Sequence, residues 1–423
     1  MALATALSAY AGEPQTESQK GLTIGGYGEV ALTRNFYSDN VYRYSDPTSY
    51  ANDPSHGRFD IPHAVLMVSY DFGHGWKMNT EIEFEHTGTG SAVEKEFTEA
   101  GEWESEIERG GEVELEQFWF QKSFSDRFNV RIGHIIVPVG GLNNAHEPLN
   151  FFTVYRPEGE YTILPSTWHD TGISLWGQLG KWKYEAMVVA GLDAFMFDRE
   201  NFVHYGATSS YEFKVANNYG FAARIDNTSI KGLRLSLSGY YGQSMHNSYP
   251  NDMQNTRYAD TKGHTLIGSF DFLYKSENDD FIMRGNADYG YVSDASTISL
   301  IKRNLSSNDA PYRKSSVGQN ACAYGAEAGY NMFALFNKAP KDQKLYLFAR
   351  SEYYDTYVPA EDQQDYTYTD KFRYAVGLNW YPIPEIAVKM EYSKRILKSQ
   401  YNNEPSISLG IVYQAFFHRY NNK

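Results

Sequence analysis

Residues 76–86 read WKMNTEIEFEH. Met78, Thr80, Ile82 and Phe84 fall on one parity, while Lys77, Asn79, Glu81, Glu83 and Glu85 fall on the other. Side chains two residues apart share a face only in an extended strand, because a helix repeats every 3.6 residues. The stretch is therefore a strand with one apolar face and one charged face. A strand of this kind needs two different solvents, one on each side.

The same module recurs outward from it. Alternating segments of about ten residues run at Leu22–Thr33, His63–Phe72, Trp76–His86, Val113–Phe124, Phe128–Pro138, Gly172–Leu179, Trp182–Gly191 and Asn218–Asp226. They continue at Leu233–Gly242, His264–Tyr274, Phe281–Val292, Ala323–Met332, Leu345–Asp355, Phe372–Tyr381, Ile386–Arg395 and Ser406–Phe417. In Val113–Phe124, Leu115 and Phe118 have opposite parity, which a β-bulge would reconcile. Connections after odd segments are long and polar, whereas those after even segments are mostly short, such as Gly180-Lys181. This rhythm predicts an all-β fold: a transmembrane antiparallel β-barrel of about 16 strands, with short periplasmic turns and long extracellular loops.

Composition fits that reading. The 423 residues hold 35 Tyr, 25 Phe and 7 Trp, 16% aromatic in all, yet mean hydropathy is −0.54. Rings in interfacial girdles and a polar lumen account for both. No apolar run reaches the roughly 18 residues a spanning helix needs. The net charge of −14 disfavours nucleic acid, whose phosphates require a basic surface. Cys322 is alone, so neither an intrachain disulfide nor a cysteine zinc site can form. Residues 1–11 end in Ala9-Tyr10-Ala11, an A-x-A pattern read as the remnant of a secretory signal peptide. Residues 12–21 are then a periplasmic N-terminal segment, 22–417 a single barrel and 418–423 a C-terminal tail.

Residues 130–177 read VRIGHIIVPVGGLNNAHEPLNFFTVYRPEGEYTILPSTWHDTGISLWG. Pro148, Pro157 and Pro165 oppose regular structure across much of the connection at about 139–171. Phe151, Phe152, Tyr155, Tyr161 and Trp168 argue that it packs. The expectation is a loop folded into the barrel mouth that sets the width of a pore. Arg131, His134, Arg156, Glu158 and Glu160 are its candidate constriction groups. If the apolar parity faces lipid, the opposite parity lines the lumen. Glu81, Glu83, Arg224, Arg234, Arg284, Arg350, Arg373 and Glu391 are candidate lining residues, because charge facing lipid costs on the order of a few kcal/mol. Acid–base pairs among them would satisfy one another across the wall.

The segment resembles a family. GHIIVPVG, with Gly133, Pro138 and Gly140, and the loop after it resemble the phosphate-selective porin O/P family, in its divergent Bacteroidetes-type branch. The resemblance implies a Gram-negative outer-membrane barrel of 16 strands, commonly trimeric, with long inward loops. The family's arginine ladder and lysine cluster have no residue-by-residue match here.

The functional expectation is a porin passing small hydrophilic solutes and ions passively, without cofactor or metal, as a homotrimer among outer-membrane lipid and lipopolysaccharide. Alternatives are a specific channel for phosphate-like anions or for sugars stacked on Tyr27, Tyr240 and Tyr381, and a barrel partner of surface lipoproteins. No G-x-S-x-G appears, and the reading is non-enzymatic. His146-Glu147 and His169-Asp170 are ligand-competent pairs, but their spacing is no known zinc signature.

Overall fold

Wherever polar and apolar residues alternate, the chain is extended. In the computed structural model, described over residues 20–85, 91–97, 103–109, 112–208, 214–247, 259–304, 315–336, 340 and 342–421, the first strands are β1 (Gly21–Asn35), β2 (His56–Asp60), β3 (Ala64–Gly73) and β4 (Trp76–Glu85). After them come β5 (Ser91–Phe97), β6 (Trp103–Arg109), β7 (Glu112–Ser125), β8 (Phe128–Ile136), β9 (His169–Leu179) and β10 (Trp182–Ala190). The second half holds β11 (Tyr219–Asn227), β12 (Leu233–Gln243), β13 (His264–Lys275), β14 (Phe281–Val292) and β15 (Asn320–Asn331). It finishes with β16 (Lys344–Val358), β17 (Asp370–Ile383), β18 (Ile386–Ile396) and β19 (Glu404–Asn421).

Sixteen of these form a closed antiparallel ring. Its seam is the β1–β19 pairing, which runs from Gly21↔Asn421 to Asn35↔Ser406. On its other edge β1 pairs with β3 along Gly21–Gly28 and with β2 along Ala31–Asn35. Strands β5 and β6 form a separate hairpin. Thus the connections at 34–62 and 87–112, read from sequence as loops, contain strands of their own. The strand β19 also continues through Asn421 rather than ending at Phe417, because Gly21–Ile24 supply it with a pairing partner. Residues 1–19, which include the signal-peptide reading, lie outside the described residues.

Burial separates the two faces. On β12, Leu237 is 60% exposed and Ser236 is 2% exposed. On β19, Ile407, Leu409 and Ile411 are exposed, while Ser406, Ser408 and Val412 are buried. An apolar exterior around a polar interior inverts the arrangement of a water-soluble protein. The β7 bulge does what its sequence requires. Register slips between Glu81 and Ile82, so Leu115 and Phe118 both reach the exterior, and Glu116 and Gln117 both turn inward.

The long connections add an interior core. One cluster joins Val137, Val139, Ile163 and Trp168 to Leu192, Phe195 and Phe197 of the 192–208 connection. It also takes in Ile298 of a helix at Ala295–Asn304 and wall residues Val189 and Tyr240.

Candidate functional site

The interior wall carries opposite charges on neighbouring strands at matching heights. Arg284 pairs directly with Glu327, Glu327 with Arg350, and Glu352 with Arg373 in the cross-strand register. Arg284 Nε lies 2.9 Å from Glu327, and Arg350 Nη2 lies 3.0 Å from Glu352. Arg373 reaches Glu352 and Glu391, each at 2.9 Å. Arg395 links Glu158 to Glu404 at 2.5 and 2.9 Å, and Arg43 reaches Glu404 at 2.5 Å. The result is an arc of alternating charge from β14 to β19. Each cross-strand pair of opposite sign stabilises its neighbour strands; Glu327, Arg350, Glu352, Arg373, Glu391, Glu404 and Arg43 are buried, and Arg284, Glu158 and Arg395 are partly exposed.

Residues 137–168 lie against this interior face. Lys389 Nζ donates to the carbonyls of Pro148, Phe151 and Thr153 at 2.6, 2.8 and 2.9 Å. Asn379 donates to the Phe152 carbonyl at 2.8 Å. In return the backbone N–H groups of Phe152, Val154 and Gly159 donate to Glu327, Glu391 and Glu352. The wall therefore supplies a partner for loop backbone that a dry interior would otherwise leave unpaired. At the other end of the loop, Gly140 donates to Ser238 Oγ at 3.1 Å and accepts from Arg224 at 3.0 Å. Gly140 has φ +85°, and a Cβ there would fall 2.2 Å from Glu160 Oε1. That close approach, together with the left-handed backbone, requires glycine.

The constriction candidates divide. Glu160 accepts from the N–H groups of Leu142 and Asn143 at 2.8 and 3.2 Å and so ties the loop to itself. Burial, then the nearby Asp288 and Asp271, push its carboxyl well above the usual range. Glu158 sits in a short helix, Glu158–Ile163, and receives Tyr354 Oη at 3.0 Å as well as Arg395. Burial alone would raise it, but Arg395 and Arg373 hold it well below the usual carboxylate range. Arg156 is buried; burial works against its charge, and Glu83 with its neighbours outweighs that and raises its pKa. Arg131 lies towards the short-turn end, 3.3 Å from Gln121 Oε1 and above the Trp119 ring, away from the loop. His134 shares the outward parity of exposed Ile132 and bonds Thr171 Oγ1 at 3.2 Å, so it does not join the others.

All eight lining candidates fall on the interior parity. Arg224 pairs with Asp226 and Asp271 at 2.9 and 2.8 Å, and Arg234 reaches the other Asp271 oxygen at 2.8 Å. Glu81 accepts from Gln117, and Glu83 contacts His63 Nδ1. Arg284, Arg350, Arg373 and Glu391 belong to the arc. What sequence reasoning missed is that wall charges such as Glu391 hold the loop backbone, and the part Glu116 plays. Simple parity assigns only one of Glu116 and Gln117 to the interior; the bulge puts both there.

A closed ring of sixteen strands, apolar outside and charge-paired inside, defines a membrane-spanning β-barrel of porin architecture. No family model matches the chain. An uncharacterised protein of Aquifex aeolicus (strain VF5) is 27% identical over 396 residues, which is 91% of this chain and 78% of its own length. Among solved structures, an anion-selective porin from Comamonas acidovorans superposes with a TM-score of 0.52 at 10% identity, covering 94% of this chain and all of its own. The outer membrane channel DcaP of Acinetobacter baumannii gives 0.51 at 13% identity, covering 95% and 100%. Salmonella typhi OmpF gives 0.53 at 9% identity, covering 93% and 97%.

Proposed function

We propose that this chain is an outer-membrane channel through which small hydrophilic solutes and ions diffuse passively, narrowed by residues 137–168. The observation that carries the reading is the interior wall itself. Its charges are mostly buried and mutually paired while they grip the backbone of that segment. Such a wall presents little unbalanced charge along its arc, so size rather than sign decides what passes. The barrel architecture shared with porins and the DcaP channel supports it. A homotrimer in lipopolysaccharide-containing membrane completes the proposal.

The resemblance to phosphate-selective porins favours a second reading, a specific anion channel. Arginine would serve it through its bidentate fork. Yet Arg224, Arg284, Arg350 and Arg373 each already face a carboxylate. Sugar stacking meets the same objection, since Tyr27 bonds Glu116 and Tyr240 packs against Trp168. Planar-bilayer recording under a salt gradient, with phosphate and then sugars added, tests this. Ohmic current of weak selectivity is the expected result. Saturable block by phosphate would replace the general reading with the specific one, and a silent, folded barrel would overturn both.

A further inference from the structure

Four strands round the ring from the Lys389 anchor, the loop meets a different chemistry. Glu81 of β4, Glu116 of β7 and His146 of the loop each bring one ligand-competent atom within 4.8 Å of the other two, and all three are buried. Glu83 contacts Glu116 as well. Carboxylates in contact away from water cannot all be charged unless a proton or a cation sits among them.

Two further observations point to a cation. His146 Nδ1 is 3.0 Å from the Asn143 carbonyl, which only accepts, so Nδ1 carries a hydrogen and Nε2, 3.1 Å from Tyr27 Oη, is the nitrogen left to ligate. The single hydroxyl proton of Tyr27 lies between that nitrogen and Glu116 Oε2, at 3.1 and 3.2 Å, and serves only one of them. In addition, the His169 ring is 6% exposed and its Nε2 makes no hydrogen bond. It lies 3.4 Å from Glu116 Oε1. Ligand atoms on a tetrahedral zinc with bonds of ~2.0–2.1 Å stand ~3.4 Å apart. The outer partners are also in place: Thr167 Oγ1 donates to Glu116 at 2.7 Å, and Gln117 donates to Glu81.

We propose that Glu81, Glu116 and His146 bind one divalent transition-metal ion of zinc type, and that His169, which meets this set at Glu116, turns in as fourth donor when the ion binds. The ion joins the loop to β4, β7 and the start of β9. The neighbouring cluster of His63, Glu83 and Glu85 contains one imidazole, which also approaches Glu29 at 3.7 Å. It is a histidine ringed by acids and serves as the internal comparison.

The test uses the full chain refolded in detergent, its folding verified by heat-modifiable migration, stripped with chelator and titrated with Zn²⁺ by calorimetry and with Co²⁺ by visible absorption. The parent should take up one equivalent and show the intense d–d bands of a tetrahedral nitrogen–oxygen site. Glu116→Gln and His146→Gln should each weaken binding by at least about 100-fold, and His63→Gln should leave it unchanged. Should either ligand variant misfold, Glu81→Gln and His169→Gln must show the same loss with altered cobalt bands. Absence of saturable binding by the parent overturns the proposal, as does binding that survives the ligand variants or is lost in His63→Gln.

Discussion

Lys389→Met isolates what holds the loop. The ammonium is fully buried and meets three loop carbonyls at 2.6–2.9 Å. Each charge-assisted bond contributes about 1.5–3 kcal/mol, and the three carbonyls would be left dry. Against that, methionine no longer carries the several-kcal/mol desolvation cost of a buried cation. It also preserves most of the contact with the Phe151 ring, 4.4 Å from Nζ. The net loss is about 2–4 kcal/mol, localised to loop docking rather than to the barrel ladder. Hydrogen exchange reads it directly, because the Phe152, Val154 and Gly159 amides are protected only while docked on Glu327, Glu391 and Glu352. Their protection should fall roughly 30- to 1,000-fold, while β13–β14 amides stay unchanged and single-channel current becomes noisier. Loop protection within threefold of the parent would refute the anchoring argument.

Other perturbations probe separate parts of the structure. Gly140→Ala, which combines φ +85° with a Cβ 2.2 Å from Glu160, should cost on the order of 1–3 kcal/mol, seen as faster exchange at Leu142 and Asn143. Glu160→Gln keeps an oxygen for those two N–H groups in place of a carboxyl already pushed up towards its neutral form, so exchange there should change by less than about 1 kcal/mol, whereas Glu160→Ala should cost about 1–3 kcal/mol. Leu237→Arg on the exterior should lower folding stability in lipid vesicles by about 2–4 kcal/mol if near the bilayer centre, with Leu237→Phe close to neutral; equal effects would contradict a lipid-facing exterior. The low-lying carboxyl of Glu158 contributes stability above the ordinary glutamate range that is lost as pH falls below it. The difference in loop protection between the parent and Glu158→Gln, corrected for intrinsic rates, should hold from pH 8 to about 5 and shrink only in stronger acid.

The strands were legible because two solvents impose a period of two on every segment between them. Phe281–Val292 was read with the bounds the structure has, and the Leu115/Phe118 parity break announced its own bulge. The connections obey no such period. Hence β2 and the β5–β6 hairpin went unread, and the apolar run around Phe195 and the helix at Ala295–Asn304 were averaged into polar loops. Lys389 could be assigned to the interior from parity alone. That it holds carbonyls 236 to 241 positions earlier depends on how the chain closes, which no local pattern records.

The loop's two attachments have a mechanical meaning. A hydrogen-bonded hoop resists stretching along its circumference but ovalises cheaply, since adjacent strands hinge about their shared ladder. Residues 137–168 are fixed to β11 and β12 at Gly140 and to β15–β18 between Phe152 and Gly159. They act as a spoke. A hoop of fixed circumference lengthens at right angles to the direction in which it is flattened, so pressure along that chord compresses the spoke and pressure across it pulls on those bonds, whereas ovalisation oblique to the chord leaves its length unchanged and meets only the hinges.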